Sequence, residues 1–148
     1  MSDIDKIMEA ARRIPVWKGR SGTEAIINIF KQLGRDLGHE VISGWLYDLS
    51  WYTQQRYERG EFLTHMAMVL ESELNKRHPD IDGDFQKLIQ ARADIRVWVS
   101  TCSDARLHID DCKQQIQMFY GTLPGDQYVF AIYDQKSGQP LIEKYVHS

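Results

Sequence analysis

Phe62-Leu63-Thr64-His65-Met66-Ala67-Met68-Val69-Leu70-Glu71-Ser72-Glu73-Leu74 decides how this chain folds. Met, Ala, Leu and Glu favour helices, so local propensity makes a helix a real competitor. The surroundings favour a strand. The segment follows a polar turn, Glu58-Arg59-Gly60-Glu61, and before that Val41 to Thr53 is rich in Val, Ile, Trp and Tyr, with Gly44 as its candidate bend. As a strand it closes a meander of two or three strands. Its two-residue period then places Leu63, His65, Ala67, Val69, Glu71 and Glu73 on one face.

Upstream, Ile4, Ile7, Met8 and Ala11 have helical spacing within residues 3–13. Ser21-Gly22-Thr23-Glu24 has the form of a capping box, opening a helix with Ala25, Ile26, Ile29, Phe30 and Leu33 on one face and Gly34 or Gly38 as its stop. Downstream, residues 75–83 read as a loop containing Pro79. Asp84 is placed to cap a helix from Phe85 to Arg92. Ile95 to Cys102 is a strong strand. Ser103 or Asp104 caps a helix from Ala105 to Tyr120, packing Ile109, Cys112, Ile116 and Phe119 and ending at Gly121. Tyr128 to Tyr133 and Leu141 to Val146 form a hairpin across Ser137-Gly138. This order predicts an α/β protein with a central mixed sheet, helices alternating with the later strands to cover both faces.

At 148 residues, with no repeat or linker-like stretch, the chain reads as one domain, residues 1–148. Hydrophobic residues at 43% and charged residues at 26% exclude disorder and collagen-like sequence. No apolar run approaches a membrane span, and the acidic start Met1-Ser2-Asp3-Ile4-Asp5 has no secretory hydrophobic region. A cytoplasmic protein with two reduced cysteines, Cys102 and Cys112, is the expectation. The net charge of −3 gives no chain-wide basic footprint. The distribution is uneven. Residues 11–35 hold Arg12, Arg13, Lys18, Arg20, Lys31 and Arg35 against Glu24 alone, a local +5 that leaves −8 for the remainder.

Three acids stand out. Asp48 interrupts an aromatic run, Trp45-Leu46-Tyr47-Asp48-Leu49-Ser50-Trp51-Tyr52, and Glu71 and Glu73 end the apolar run of the next strand. A carboxylate in such a setting is costly unless paired. A divalent cation is one partner, and carboxylates on neighbouring strands suit Mg²⁺ or Mn²⁺. The order helix, three-stranded meander, helix, strand, together with these acids, resembles the core of the PD-(D/E)xK nuclease-like superfamily, which includes restriction and repair endonucleases. The resemblance covers residues 20–102. It implies a restriction-endonuclease-like αβββαβ core, here followed by a helix and a β-hairpin. Asp48 matches the first acid and Glu71 the second, but Glu73 stands where the lysine belongs. The superfamily tolerates a lysine that has migrated to the following helix, and Lys87 matches that place. Glu24 matches the first-helix glutamate of some members.

The resemblance implies metal-dependent hydrolysis of a phosphodiester in DNA, less readily RNA. Asp48 and Glu71 would hold Mg²⁺ or Mn²⁺, with Glu73 as a further ligand or orienting group. Lys87 would polarise water, Glu24 would help hold metal or water, and Lys18 or Arg20 would touch phosphate. The same residues also read without catalysis. Glu24 completes a capping box, Asp48 accepts from backbone N–H groups, Glu71 and Glu73 are a solvated strand end, and Lys87 is a surface lysine. The second expectation is therefore a catalytically inactive nuclease-fold protein serving as a binding or assembly module. The edge of the terminal hairpin offers a place for a homodimer or a protein partner.

Other patterns carry less. His108 and Cys112, with Cys102 upstream, lack a fourth zinc ligand. Asp80-Ile81-Asp82-Gly83-Asp84 does not keep calcium-loop spacing, because Phe85 and Ala91 stand at loop positions six and twelve. Gly19-Arg20-Ser21-Gly22-Thr23 lacks the phosphate-loop lysine. Trp17 beside Lys18 and Arg20 reads as core, with base stacking as the alternative.

Overall fold

A computed structural model describes residues 1–74 and 81–148. Residues 75–80, including the expected Pro79 loop, lie outside the described part. Helices α1 (Asp3–Arg12) and α2 (Gly19–Asp36) lead into β1 (Glu40–Trp45), β2 (Tyr47–Tyr57) and β3 (Gly60–Glu73). A π-helical turn (Ile81–Phe85) runs into the short helix α3 (Gln86–Gln90). Then come β4 (Ile95–Cys102), α4 (Ala105–Met118), β5 (Gln127–Asp134) and β6 (Gln139–Val146). The six strands form one mixed sheet in chain order. β2 runs antiparallel to both β1 and β3, β3, β4 and β5 are parallel, and β6 returns antiparallel to β5. The class is α/β, a mixed sheet flanked by four helices.

The helices that alternate with the later strands cover one face of the sheet, not both. The steps β3→β4→β5 advance in one direction along the sheet, and crossovers of one hand then put their helices on one side. α3 and α4 pack there, with Leu88, Ile89, Ile109, Cys112 and Ile116 against Val69, Trp98 and Phe130. α1 and α2 cover the other face, with Ile7, Ile26 and Phe30 against Leu49, Leu70, Val97 and Val129. Burial on both sides explains why β4 is buried at all eight positions, its polar Arg96, Ser100 and Thr101 included.

Segment 62–74 is a strand, but its alternation breaks. The ladder to β2 slips between Trp51/Tyr52 and Thr53/Gln54, leaving Ala67 and Thr64 without direct partners. These bulges turn Ala67 to the α1/α2 face with Met68, while Val69 faces α3 and α4. Leu63 through Glu73 therefore do not share one face.

α2 begins two residues before Ser21, with Lys18 at its N-cap and no side-chain cap bond, so the capping box does not form. Gly34 is not a stop. It lies inside the helix, where a Cβ would come within 2.5 Å of Trp51 Nε1. Its bareness lets that indole reach over and donate to the Phe30 carbonyl at 2.8 Å. Gly38 provides the left-handed turn beyond the helix, at φ 86°. Asp84 does not cap α3; it lies within the π-helical turn. Asp104 does cap α4, accepting from Leu107 N at 3.1 Å. Phe119 leaves the helix in extended conformation and is exposed rather than packed. Gly44, at φ 79°, lies within β1, and the reversal into β2 falls on Leu46, at φ 62°.

Candidate functional site

The ends of β2 and β3 place the acids. Leu49 pairs with Leu70, so Asp48 falls beside Glu71 across the antiparallel ladder. Glu71 is 1% exposed. Asp48 is half-buried, and its Oδ2 accepts from Ser72 N at 2.8 Å and from Ser72 Oγ at 3.2 Å. The backbone-bonded state expected for a structural Asp48 is therefore present, in the same place as the second carboxyl. Lys87, on α3, reaches back across the face. Its Nζ lies 2.5 Å from Glu71 Oε1 and 5.9 Å from the centre of the Tyr47 ring.

Burial pushes the Glu71 carboxyl up to about 8, against the pull of Lys87 and with a further push from Asp48 beside it. The hydrogen bond to Glu71 raises the Lys87 ammonium, and Asp84 and Asp48 add to it. Burial, then the Glu71 charge, also raises Tyr47. Two carboxyls, one ammonium and a phenol thus form one electrostatic unit at the carboxyl ends of the parallel strands. Additional positive charge beside Asp48 and Glu71 would draw the Glu71 proton off.

Glu24 and Asp48 line one cleft of about 470 Å³, shared with Thr23, Ile27 and Asn28 of α2 and Ser43 and Gly44 of β1. Glu24 is exposed and pairs with Arg20 at 3.4 Å, one helical turn earlier. Glu73 lies one pleat beyond Glu71 and is half-buried; its carbonyl accepts from Ser100 Oγ at 2.9 Å. Lys18 and Arg20 are exposed at the start of α2. The structure therefore gathers Asp48, Glu71 and Lys87, places Glu24 on the approach, and leaves Lys18 and Arg20 exposed at the start of α2. Ser72 and Asp84 belong to the cluster, although nothing in their sequence context marks Ser72, and Asp84 reads there as a helix cap.

The remaining candidates have structural explanations. His108 Nε2 accepts from Trp98 Nε1 at 2.9 Å, and burial lowers the histidine pKa. Burial pushes the Cys102 thiol up to about 11 and raises Cys112 as well, so neither is an activated nucleophile. Trp17 packs against the core and meets Tyr133 at 6.0 Å between ring centres. Among the described residues, no group of three or more His, Cys, Asp or Glu side chains is gathered to hold a metal. Asp48 and Glu71 are two adjacent hard oxygen donors, and the charge of Asp48 opposes the ionisation of Glu71. That donor set fits Mg²⁺ or Mn²⁺ retaining most of its water. Among the described residues, no helix is long and apolar enough to cross a membrane.

Comparison with models of protein families, with curated proteins and with solved structures found no match to this chain.

Proposed function

We propose that the chain is a metal-dependent phosphodiester hydrolase acting on DNA, with a PD-(D/E)xK-like centre whose lysine comes from the helix after the motif strand. The observation that carries this reading is the convergence of Lys87 on Glu71 beside Asp48, from an element 14 residues beyond the position Glu73 occupies. The run of α2, β1–β3, α3 and β4 supports it, since it matches the element order of that core.

Asp48 and Glu71 would hold Mg²⁺ or Mn²⁺, which when bound supplies charge neutralisation at a phosphate and a more acidic water. Ser72 fixes Asp48 by two hydrogen bonds, so the free energy of ordering that carboxylate is met before any ligand arrives. Lys87, displaced from Glu71, stands where it can steady a water and the negative charge growing on phosphate oxygens. In the balanced reaction, water oxygen bonds to phosphorus as one P–O ester bond breaks. The leaving alkoxide takes up a proton.

A second reading has its own support. Lys87 already engages Glu71 in the described conformation, and Glu73 occupies the motif's lysine position. Both suit a nuclease fold that has become a binding or assembly module, alone or as a homodimer. Incubation with plasmid and single-stranded DNA in Mg²⁺ or Mn²⁺ separates the two. Hydrolysis lost in Asp48→Asn and Glu71→Gln, and reduced about 100-fold or more in Lys87→Ala, supports the enzyme. No metal-dependent cleavage by folded wild type supports the module.

A further inference from the structure

α2 presents two unlike faces. Gly22, Ile26, Phe30 and Gly34 are buried. At helical pitch the sector adjoining these, about a third of the circumference, carries Arg20, Glu24, Ile27, Asn28, Lys31 and Arg35. The middle three of these, Glu24, Ile27 and Asn28, line the cleft that ends on Asp48. Arg20 precedes them, tied to Glu24. Lys31 and Arg35 follow within about 10 Å of helix length beyond Asn28. The nearby Asp36 is engaged by Gln32 at 2.8 Å. Cations therefore lie at intervals along the α2 face that borders the Asp48 cleft, Arg20 paired with Glu24 and Lys31 and Arg35 beyond it, on a chain that is otherwise acidic.

Across the cleft stands the β1–β2 turn. Ser43 and Gly44 line the cleft, and the next two residues, Trp45 and Leu46, are 48% and 65% exposed. Trp45 pairs in register with Tyr47, whose ring faces Lys87. Leu46 is the one described residue other than glycine with a positive φ, 62°, a strained conformation for a side chain bearing Cβ. Trp45 and the strained Leu46 follow directly on the cleft residues Ser43 and Gly44, and large apolar side chains held exposed opposite a helix face bearing cations point to a ligand with both phosphate and an apolar face.

We propose that this face is a track for an unpaired DNA strand, in which Arg20, Lys31 and Arg35 hold backbone phosphates and Trp45 stacks on a base beside the Asp48 end of the cleft. The inference rests on the phosphodiester reading of Asp48, Glu71 and Lys87 and names its substrate. An unpaired strand offers its base faces to an indole, whereas a duplex hides them in the stack. Glu24 interrupts the row of cations, which suits spaced phosphates better than a continuous anionic surface.

The test is anisotropy of a labelled single-stranded oligonucleotide of about 12 nucleotides, in EDTA so that no cleavage or metal is involved. The matching duplex is measured beside it. Single-stranded DNA is expected to bind at least about tenfold tighter than duplex, and Trp45→Ala to lose about tenfold. Lys31→Ala/Arg35→Ala is expected to weaken binding and to flatten the salt slope by about 1.4. Leu46→Gly relieves the backbone strain, so it keeps the fold while weakening binding. Equal affinity for both forms, no binding, or wild-type affinity in Trp45→Ala overturns the track. Metal binding at Asp48 and Glu71 without a single-strand preference leaves the hydrolase reading standing and removes the track. Single-strand preference lost in Trp45→Ala supports the track even where metal binding fails.

Discussion

Lys87 Nζ lies 2.5 Å from Glu71 Oε1, joining α3 to a carboxyl on β3 that is 1% exposed. The sequence separates these two by 16 positions, and the π-helical turn carries the chain between them into α3. A lysine at position 73 would have reached the site along its own strand. Here the ammonium arrives from above the sheet, over the face that Val69, Phe85 and Trp98 pack.

Glu71 should make stability depend on pH. Its folded value, about 8, is above the ordinary 4.5, so the native state holds the proton more tightly than the unfolded chain. That contribution is fully present below about pH 4.5 and is lost as pH rises through about 8, on the order of 5 kcal/mol as an upper figure. Glu71→Gln should flatten this part of the stability curve, measured by urea unfolding at several pH values. An unchanged slope would place the proton elsewhere.

Lys87→Met should remove the cation that offsets the buried carboxylate. Wild type and variant should differ little at pH 5, where Glu71 is neutral in both. The variant should be about 1–2 kcal/mol less stable at about pH 9, because Glu71 then ionises without its partner. Adding Glu71→Gln should abolish the difference.

Gly34→Ala tests the α2–sheet contact. The added methyl would meet Trp51 Nε1 at 2.5 Å and Val41 Cγ1 at 2.8 Å. Despite alanine's better helix propensity, the variant should lose about 1–3 kcal/mol in denaturant unfolding. A gain in stability would mean that α2 sits further from the sheet.

His108→Ala should leave the Trp98 indole N–H without its acceptor inside the α3/α4 core, at a cost of about 1–3 kcal/mol plus the cavity. His108→Gln should recover part of this. Zinc should not change the unfolding temperature of either variant or of wild type.

The β-rich segments and the cap at Asp104 are legible because their signals are local. Asp104 caps α4 as its sequence context suggests. The apparent capping box at Ser21–Glu24 misled for a physical reason. α2 is held by burial of Gly22 and Ile26, which fixes its start at Gly19 regardless of side-chain caps. The bulge at Ala67 was not legible either, since an extra residue in a strand leaves no mark in composition and yet exchanges its faces. In the site, Asp48 and Glu71 stood out as acids in apolar runs. Lys87 was readable only through the resemblance, and Ser72 and Asp84 only through their contacts.

Calorimetric titration of Mg²⁺ and Mn²⁺ into wild type, Asp48→Asn and Glu71→Gln tests the central claim most directly. The account predicts binding by wild type that strengthens from about pH 6 to about pH 9, releases a proton as Glu71 ionises, and is lost in both variants. Absence of binding by folded wild type at about pH 9 and millimolar metal, with oligonucleotide present, would contradict it.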